Sequence, residues 1–129
     1  MRKVLILFVT VLFISGCAKH DDRALAALKA LQRVESATKI GVNIGEYHRL
    51  VADANAAVQE FLRDEENKTD AEAKKHLQTA TAYYVSAGYF WNQGIKEGIS
   101  GMDGYAEKVL SPLWKDAEKE LREAEKLLK

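Results

Sequence analysis

Residues 43–62 read NIGEYHRLVADANAAVQEFL, and this stretch predicts an amphipathic helix of about five turns. Asn43 and Glu46 have the spacing of a capping box, in which each side chain hydrogen-bonds the other residue's backbone amide. Val42 and Tyr47 occupy the two positions of a hydrophobic staple. Apolar residues then recur at steps of three and four. The predicted inner face consists of Tyr47, Leu50, Val51, Ala54, Val58, Phe61 and Leu62.

A first helix is predicted before this stretch, over residues 23–39. Asp22 can cap its start, and Gly41 supplies the permissive backbone expected just beyond a helix end. Its predicted inner face consists of Leu25, Leu28, Leu31 and Val34, with Ala24 and Ala27 beside them.

A third helix follows the polar run 64–68, and Thr69 with Glu72 has the spacing of a second capping box. One apolar stripe of this helix consists of Ala73, Leu77, Ala80, Tyr84, Ala87 and Trp91. A second stripe beside it consists of His76, Tyr83 and Phe90.

Residues 94–104 contain four glycines and predict a loop, because each glycine costs a helix about 1 kcal/mol. Ser111-Pro112 resembles an N-cap followed by proline at the first helical position, with an extra turn allowed over residues 105–110. The last helix then places Ala117, Leu121, Ala124 and Leu128 on its inner face. Glu118 with Arg122, and Glu125 with Lys129, have the favourable order for ion pairs four residues apart.

Amphipathic helices joined by short connections favour an all-α, up-and-down antiparallel bundle of four helices over residues 23–129. The chain is long enough for one domain. With a single cysteine it has no internal disulfide, so the predicted bundle must be stabilised by packing alone.

Residues 1–16 have the three parts of a secretory signal peptide. Arg2 and Lys3 form a positive start, residues 4–14 form an apolar stretch, and Ser15 and Gly16 are small. Eleven helical residues span about 16 Å, roughly half the hydrocarbon thickness of a bilayer. A cleaved leader is therefore expected rather than a transmembrane helix.

Ile14-Ser15-Gly16-Cys17 resembles the lipobox of bacterial lipoprotein precursors. The resemblance covers the leader only. It implies a diacylglyceryl group on the Cys17 thiol and cleavage between Gly16 and Cys17, which leaves residues 17–22 as a short tether. More than one acyl chain would give stable anchoring. The alternative is an ordinary secreted protein with a single unpaired cysteine.

The resemblance also implies a location, through the residue after the cysteine. With Ala18 rather than aspartate there, a Gram-negative lipoprotein goes to the periplasmic face of the outer membrane. In a Gram-positive cell the same precursor would stay on the outer face of the plasma membrane. The sequence does not distinguish these two organisms.

Charge and motifs exclude several classes of function. The chain has 19 basic and 19 acidic residues, and loss of Arg2 and Lys3 would leave 17 and 19. This balance predicts no nucleic-acid partner and no polybasic lipid contact. His20, His48 and His76 fit no metal or haem motif, and the serines lie in no nucleophile motif. We therefore expect no enzyme, no cofactor and no metal.

Residues 83–91 contain five aromatic side chains, which together cover more than half of a helix circumference. Helical geometry predicts that Tyr84 and Trp91 are buried and that Tyr89 is at least partly exposed. Either this helix is buried around most of its circumference, so that all five rings lie in the core, or Tyr83, Tyr89 and Phe90 form a contact surface.

Two functions remain open at this point. The first is a non-catalytic interaction or structural module of the bacterial envelope, lipid-anchored through Cys17, which contacts an envelope protein or the cell wall. The alternative is a binding module that holds an apolar small molecule between helices near residues 83–91.

Overall fold

The computed structural model describes residues 22–64, 70–99 and 102–129. The predictions for the leader, Cys17, the tether up to residue 21 and Thr69 lie outside the described residues. Five α-helices and one π-helical turn are present in the described ranges: α1 Asp22–Ile40, α2 Ile44–Leu62, α3 Ala71–Lys96, α4 Met102–Tyr105, the π turn Ala106–Leu110, and α5 Ser111–Leu128.

The four long helices α1, α2, α3 and α5 form an up-and-down antiparallel bundle, as predicted. Each packs against the next along the chain, and α5 closes the ring against α1. Lys39 Nζ lies 3.1 Å from a Glu118 oxygen, and an Arg122 nitrogen lies 3.0 Å from Glu35. Residue numbers therefore rise along α1 as they fall along α5, so these two helices run in opposite directions.

The α1–α2 connection follows the predicted cap signals in part. Gly41 has a φ of 99°, a conformation that favours glycine and ends α1. Asn43 Oδ1 accepts a hydrogen bond of 2.9 Å from the Glu46 amide, which confirms half of the capping box. The other half is wrong, because the Glu46 carboxylate pairs with Arg49 in the next turn instead.

The start of α3 differs from the predicted capping box by one residue. Asp70 occupies the N-cap position, and its side chain makes no capping hydrogen bond. Glu72 is then the second helical residue and not the third, so it lacks the spacing that the box requires.

The core follows the predicted inner faces of all four long helices. Its largest fully buried side chains are Tyr47, Tyr84, Phe61, Leu31, Leu77, Leu110, Leu121, Val34 and Val58. Leu25 is an exception, because 38% of it is exposed. It lies six residues before Leu31, about 120° around the helix, and so falls outside the buried arc.

The predicted glycine loop is shorter than residues 94–104. Helix α3 continues to Lys96, and Gly94 is buried inside it. A Cβ at Gly94 would lie 2.9 Å from the Tyr105 ring, so the missing side chain makes room for that ring. This close packing offsets the free-energy cost of placing Gly94 in a helix. Gly104, also assigned to the predicted loop, lies instead in the next helix, α4.

Ser111 is not the N-cap that the sequence predicted. Its φ and ψ of −59° and −40° are helical, and its amide bonds the Ala106 carbonyl five residues back. Proline within an α-helix clashes with the carbonyl four residues before it, and the wider π turn relieves this crowding ahead of Pro112. The chain therefore stays helical from α4 through α5 where a break was expected.

Candidate interaction surface

Two of the three predicted surface aromatics are exposed at the C-terminal end of α3. Tyr89 is 59% exposed and Phe90 is 41% exposed, whereas Tyr83 is half-buried against the core. The rings of Tyr89 and Phe90 meet edge to face with centroids 5.6 Å apart. The exposure of Tyr89 confirms the prediction made from helical geometry.

Below this surface, Tyr47, Trp91 and Trp114 form an aromatic cluster. The centroid distances are 5.4 Å from Tyr47 to Trp91, 6.0 Å from Tyr47 to Trp114, and 6.1 Å between the tryptophans. Tyr84 is buried as predicted, whereas Trp91 is only half-buried. The residue that fills the centre of this end is therefore Tyr47, which comes from α2.

Hydrogen bonds fix the position of the Tyr47 ring. Its hydroxyl donates to the Tyr84 carbonyl at 2.7 Å and accepts from Trp114 Nε1 at 3.2 Å. Burial raises the pKa of both Tyr47 and Tyr84, because the ionised form would lose its hydration. Both phenols therefore stay protonated at neutral pH, and Tyr47 joins α2, α3 and α5 as a structural residue.

The outer surface of α3 carries no formal charge over most of its length. No Asp, Glu, Lys or Arg occurs between Lys75 and Lys96, although 29% of the whole chain is charged. The neighbouring surface of α2 is similar. We call the following exposed residues of the two helices the uncharged face: His48, Ala52, Asn55 and Gln59 on α2, with Gln78, Ala82, Val85 and Tyr89 on α3.

Contacts between α2 and α3 bring these residues together. Lys74, at the start of α3, lies over the ring of Phe61, at the end of α2, so the two helices are antiparallel. A Cβ at Gly88 would lie 3.1 Å from the His48 ring, which places His48 at the level of Tyr89. A shallow groove of about 270 Å³ runs between α2 and α3, nearer the start of α3 than Tyr89 is. The members of the uncharged face that border it are Asn55, Gln59, Gln78, Ala82 and Val85.

The surface between α1 and α5 has the opposite character. Here Glu35 and Glu118 each contact both Lys39 and Arg122, at distances from 2.8 to 3.1 Å. We call these four residues the charged seam. Hydrogen bonds from Lys39 and Arg122 lower the pKa of Glu118, and the carboxylates raise the pKa of both cations. The charges of the seam are thus compensated within the chain.

His76 contacts a carboxylate on each side of its ring. Nδ1 hydrogen-bonds Glu120 on α5, and Nε2 lies 4.0 Å from Glu72 one turn earlier on α3. Because the two carboxylates approach opposite ring nitrogens, they do not converge on one point. No group of three or more His, Cys, Asp or Glu within residues 22–64, 70–99 and 102–129 could hold a metal ion.

Among the described residues, surface grooves of about 510, 480 and 190 Å³ accompany the 270 Å³ groove between α2 and α3. Tyr83, Tyr89 and Phe90 border none of these four. The 190 Å³ groove reaches Tyr84 and Trp114. Four charged residues also line it, and this does not suit an apolar ligand: Glu35, Lys39, Lys115 and Glu118. None of the described helices is long and apolar enough to cross a membrane.

Comparison of this chain with protein-family models, curated protein sequences and solved structures gave no match. The candidate surface therefore depends on the residues of this chain alone. Sequence reasoning identified Tyr89 and Phe90 but missed the rest of the uncharged face. The absence of charge from residue 76 to residue 95 was the available signal for its α3 half, whereas the α2 half has no such signal in the sequence.

Proposed function

We propose that this protein is a bacterial envelope lipoprotein, anchored through lipid on Cys17, whose helical bundle is a non-catalytic interaction module. The lipobox resemblance supports the anchor. One structural observation carries the interaction function. The uncharged face and the adjoining Phe90 expose aromatic, aliphatic and amide side chains on a domain whose other surfaces are rich in charge. Contact surfaces commonly have this composition at their centres.

The position of the aromatic end favours an envelope protein or the cell wall as the partner. Asp22, where the tether joins, and Tyr89 lie at opposite ends of the bundle, because α1 and α3 run in the same direction. Helix α1 has 19 residues and is about 28 Å long at 1.5 Å per residue. In an upright bundle, Tyr89 and Phe90 would therefore face away from the anchoring membrane.

Mass spectrometry of the native protein tests the anchor. We expect an acylated cysteine at the N-terminus, and Cys17→Ser should accumulate as unprocessed precursor. An intact Met1, or a mature N-terminus without lipid, would show that the lipobox interpretation is wrong.

Site-specific photocrosslinking tests the interaction surface. A photoreactive residue in place of Tyr89 should give a discrete protein or cell-wall adduct in the envelope. The same residue in place of Leu127, which is 46% exposed on α5, is the matched control and should give none. Equal labelling from both positions would contradict a dedicated surface at Tyr89.

A further inference from the structure

The uncharged face consists of two stripes with the same spacing. Along α2 and along α3 its residues are separated by steps of four, three and four: 48, 52, 55 and 59 on α2, and 78, 82, 85 and 89 on α3. This is the spacing of the seam that one helix presents to another in coiled-coil packing. Helix α2 and helix α3 thus each bury one such stripe in the core and expose a second one on this face.

Because α2 and α3 are antiparallel, the two stripes also match in height. The residues at equal levels are His48 with Tyr89, Ala52 with Val85, Asn55 with Ala82, and Gln59 with Gln78. A two-fold axis parallel to the helices would set α2 of one copy against α3 of the other. Each residue would then face the residue at its own level in the second copy.

We propose that the uncharged face binds the same face of a second copy of this chain, as a parallel two-fold dimer on the membrane. This deepens the proposed function, since it rests on the anchor at Cys17 and identifies the partner of the uncharged face.

The chemistry of the facing pairs supports a second copy as the occupant. At two middle levels a small side chain meets a larger one, Ala52 against Val85 and Ala82 against Asn55. Gln59 meets Gln78, and an amide carries both a donor and an acceptor, so it pairs with its own kind. With no formal charge, the face neither buries an ion nor repels an identical copy of itself.

The amides of this face are available for such pairs. Within the described ranges, the side chains of Asn55, Gln59 and Gln78 make no hydrogen bond to another residue of the chain. The charged seam on the other side of the bundle is different, because its four groups are engaged with one another.

The anchor selects the parallel arrangement. An axis perpendicular to the helices would also bring two uncharged faces together, but it would put the two Asp22 residues at opposite ends of the dimer. Those ends are about 28 Å apart along α1, whereas five tether residues reach at most about 18 Å. Two upright bundles anchored in one membrane therefore meet with α1 pointing the same way.

The size of the face indicates that the dimer depends on the membrane. Each stripe runs over twelve residues, about 16 Å from the first Cα to the last, and two adjacent helices are together about 20 Å wide. Such a face is smaller than a standard specific interface, so two copies would bind only weakly in solution. Confinement of both chains to one membrane raises their effective concentration, which compensates for the small area.

Disulfide capture with the full-length lipidated protein tests this arrangement. Two variants, Asn55→Cys and Ala82→Cys, are produced together in the envelope, with tags that distinguish their masses. The Cys17 thiol is expected to be blocked by lipid, so each introduced thiol is the free one. We expect a disulfide-linked heterodimer that exceeds the homodimers formed by either variant alone.

The matched control pairs Asn55→Cys with Ala26→Cys, an exposed alanine on α1. It should stay at the background of random collision. An equal yield from the control pair, or no heterodimer from the test pair, would overturn the dimer. Preferential linkage of Ala52→Cys to Asn55→Cys would also overturn it, because that pair meets only in the perpendicular arrangement.

The outcomes separate this inference from the proposed function. Linkage of Ala82→Cys to a different envelope protein would overturn the dimer and leave the interaction module intact. A chain that is never processed at Cys17 would fail the mass-spectrometric test, and the proposed function would fail with it.

Discussion

The charged seam and the uncharged face cover the same core from different sides, yet they use their polar groups in different ways. Each carboxylate of the seam contacts both of its cations, so α1 and α5 compensate their charges locally. The amides of the uncharged face have no such partners among the described residues. A surface rich in charge can thus be self-contained, whereas an uncharged one can retain hydrogen-bonding groups for a second molecule.

The largest expected effect tests whether both surfaces depend on a single core. Leu121→Ala removes a side chain that is 2% exposed, and it should lower the free energy of unfolding by about 2–5 kcal/mol. Leu127→Ala, on the exposed side of the same helix, should change it by no more than about 0.5 kcal/mol. Urea denaturation of a protein that begins at Ala18 measures both. Equal losses would show that α5 is not packed as described.

A pair of glycines tests the packing below the aromatic end of the uncharged face. Gly94→Ala would force its Cβ against the Tyr105 ring, and overpacking of about 1–3 kcal/mol should exceed the helical gain of about 1 kcal/mol. Gly104→Ala meets nothing within 4 Å, so it should stabilise by up to about 1 kcal/mol. The midpoint temperature of thermal unfolding should fall for Gly94→Ala and rise for Gly104→Ala. A stabilising Gly94→Ala would contradict the close contact with Tyr105.

Acidification sharpens the contrast, because it acts on the charged seam. Lys39 and Arg122 lower the pKa of Glu118 from 4.5, so its contribution is complete above that value and is lost as pH falls through the lower folded pKa. Glu118→Gln should therefore cost up to about 1 kcal/mol near neutral pH and lose less on acidification than the wild type. Glu60→Gln, at the exposed 3.8 Å contact with Arg63, is the control. If the free energy of unfolding had the same pH dependence in both variants, the ion pairs of the charged seam would not contribute to stability as described.

The smallest effect on stability is expected on the uncharged face itself. Tyr89→Ala should change the free energy of unfolding by no more than about 0.5 kcal/mol, because most of the ring is already exposed. Capture of a partner by a photoreactive residue in place of Val85, which is 48% exposed on the same face, should nevertheless be weakened. Calorimetry of the variant, together with the envelope crosslinking experiment, checks both statements. Unfolding on removal of Tyr89 would mean that the aromatic run is part of the core.

Local rules in the sequence determined where most of the helices lie. The 3.6-residue period alone predicted the buried arcs of α2 and α5, and it predicted the exposure of Tyr89. Gly41 and Asn43 predicted the α1–α2 connection, because a positive φ and a side-chain cap are satisfied within a few residues. These features need no information from distant parts of the chain.

Only the tertiary structure decided what happens where two helices meet. Gly94 stays helical because the ring of Tyr105 fills the space beside it, and Pro112 continues a helix because a π turn precedes it. The uncharged face likewise exists only because α2 and α3 pack side by side. Each of these outcomes depends on contacts between residues distant in sequence or on a local π turn of the backbone. Helix propensities and the hydrophobic period of the sequence do not contain this information.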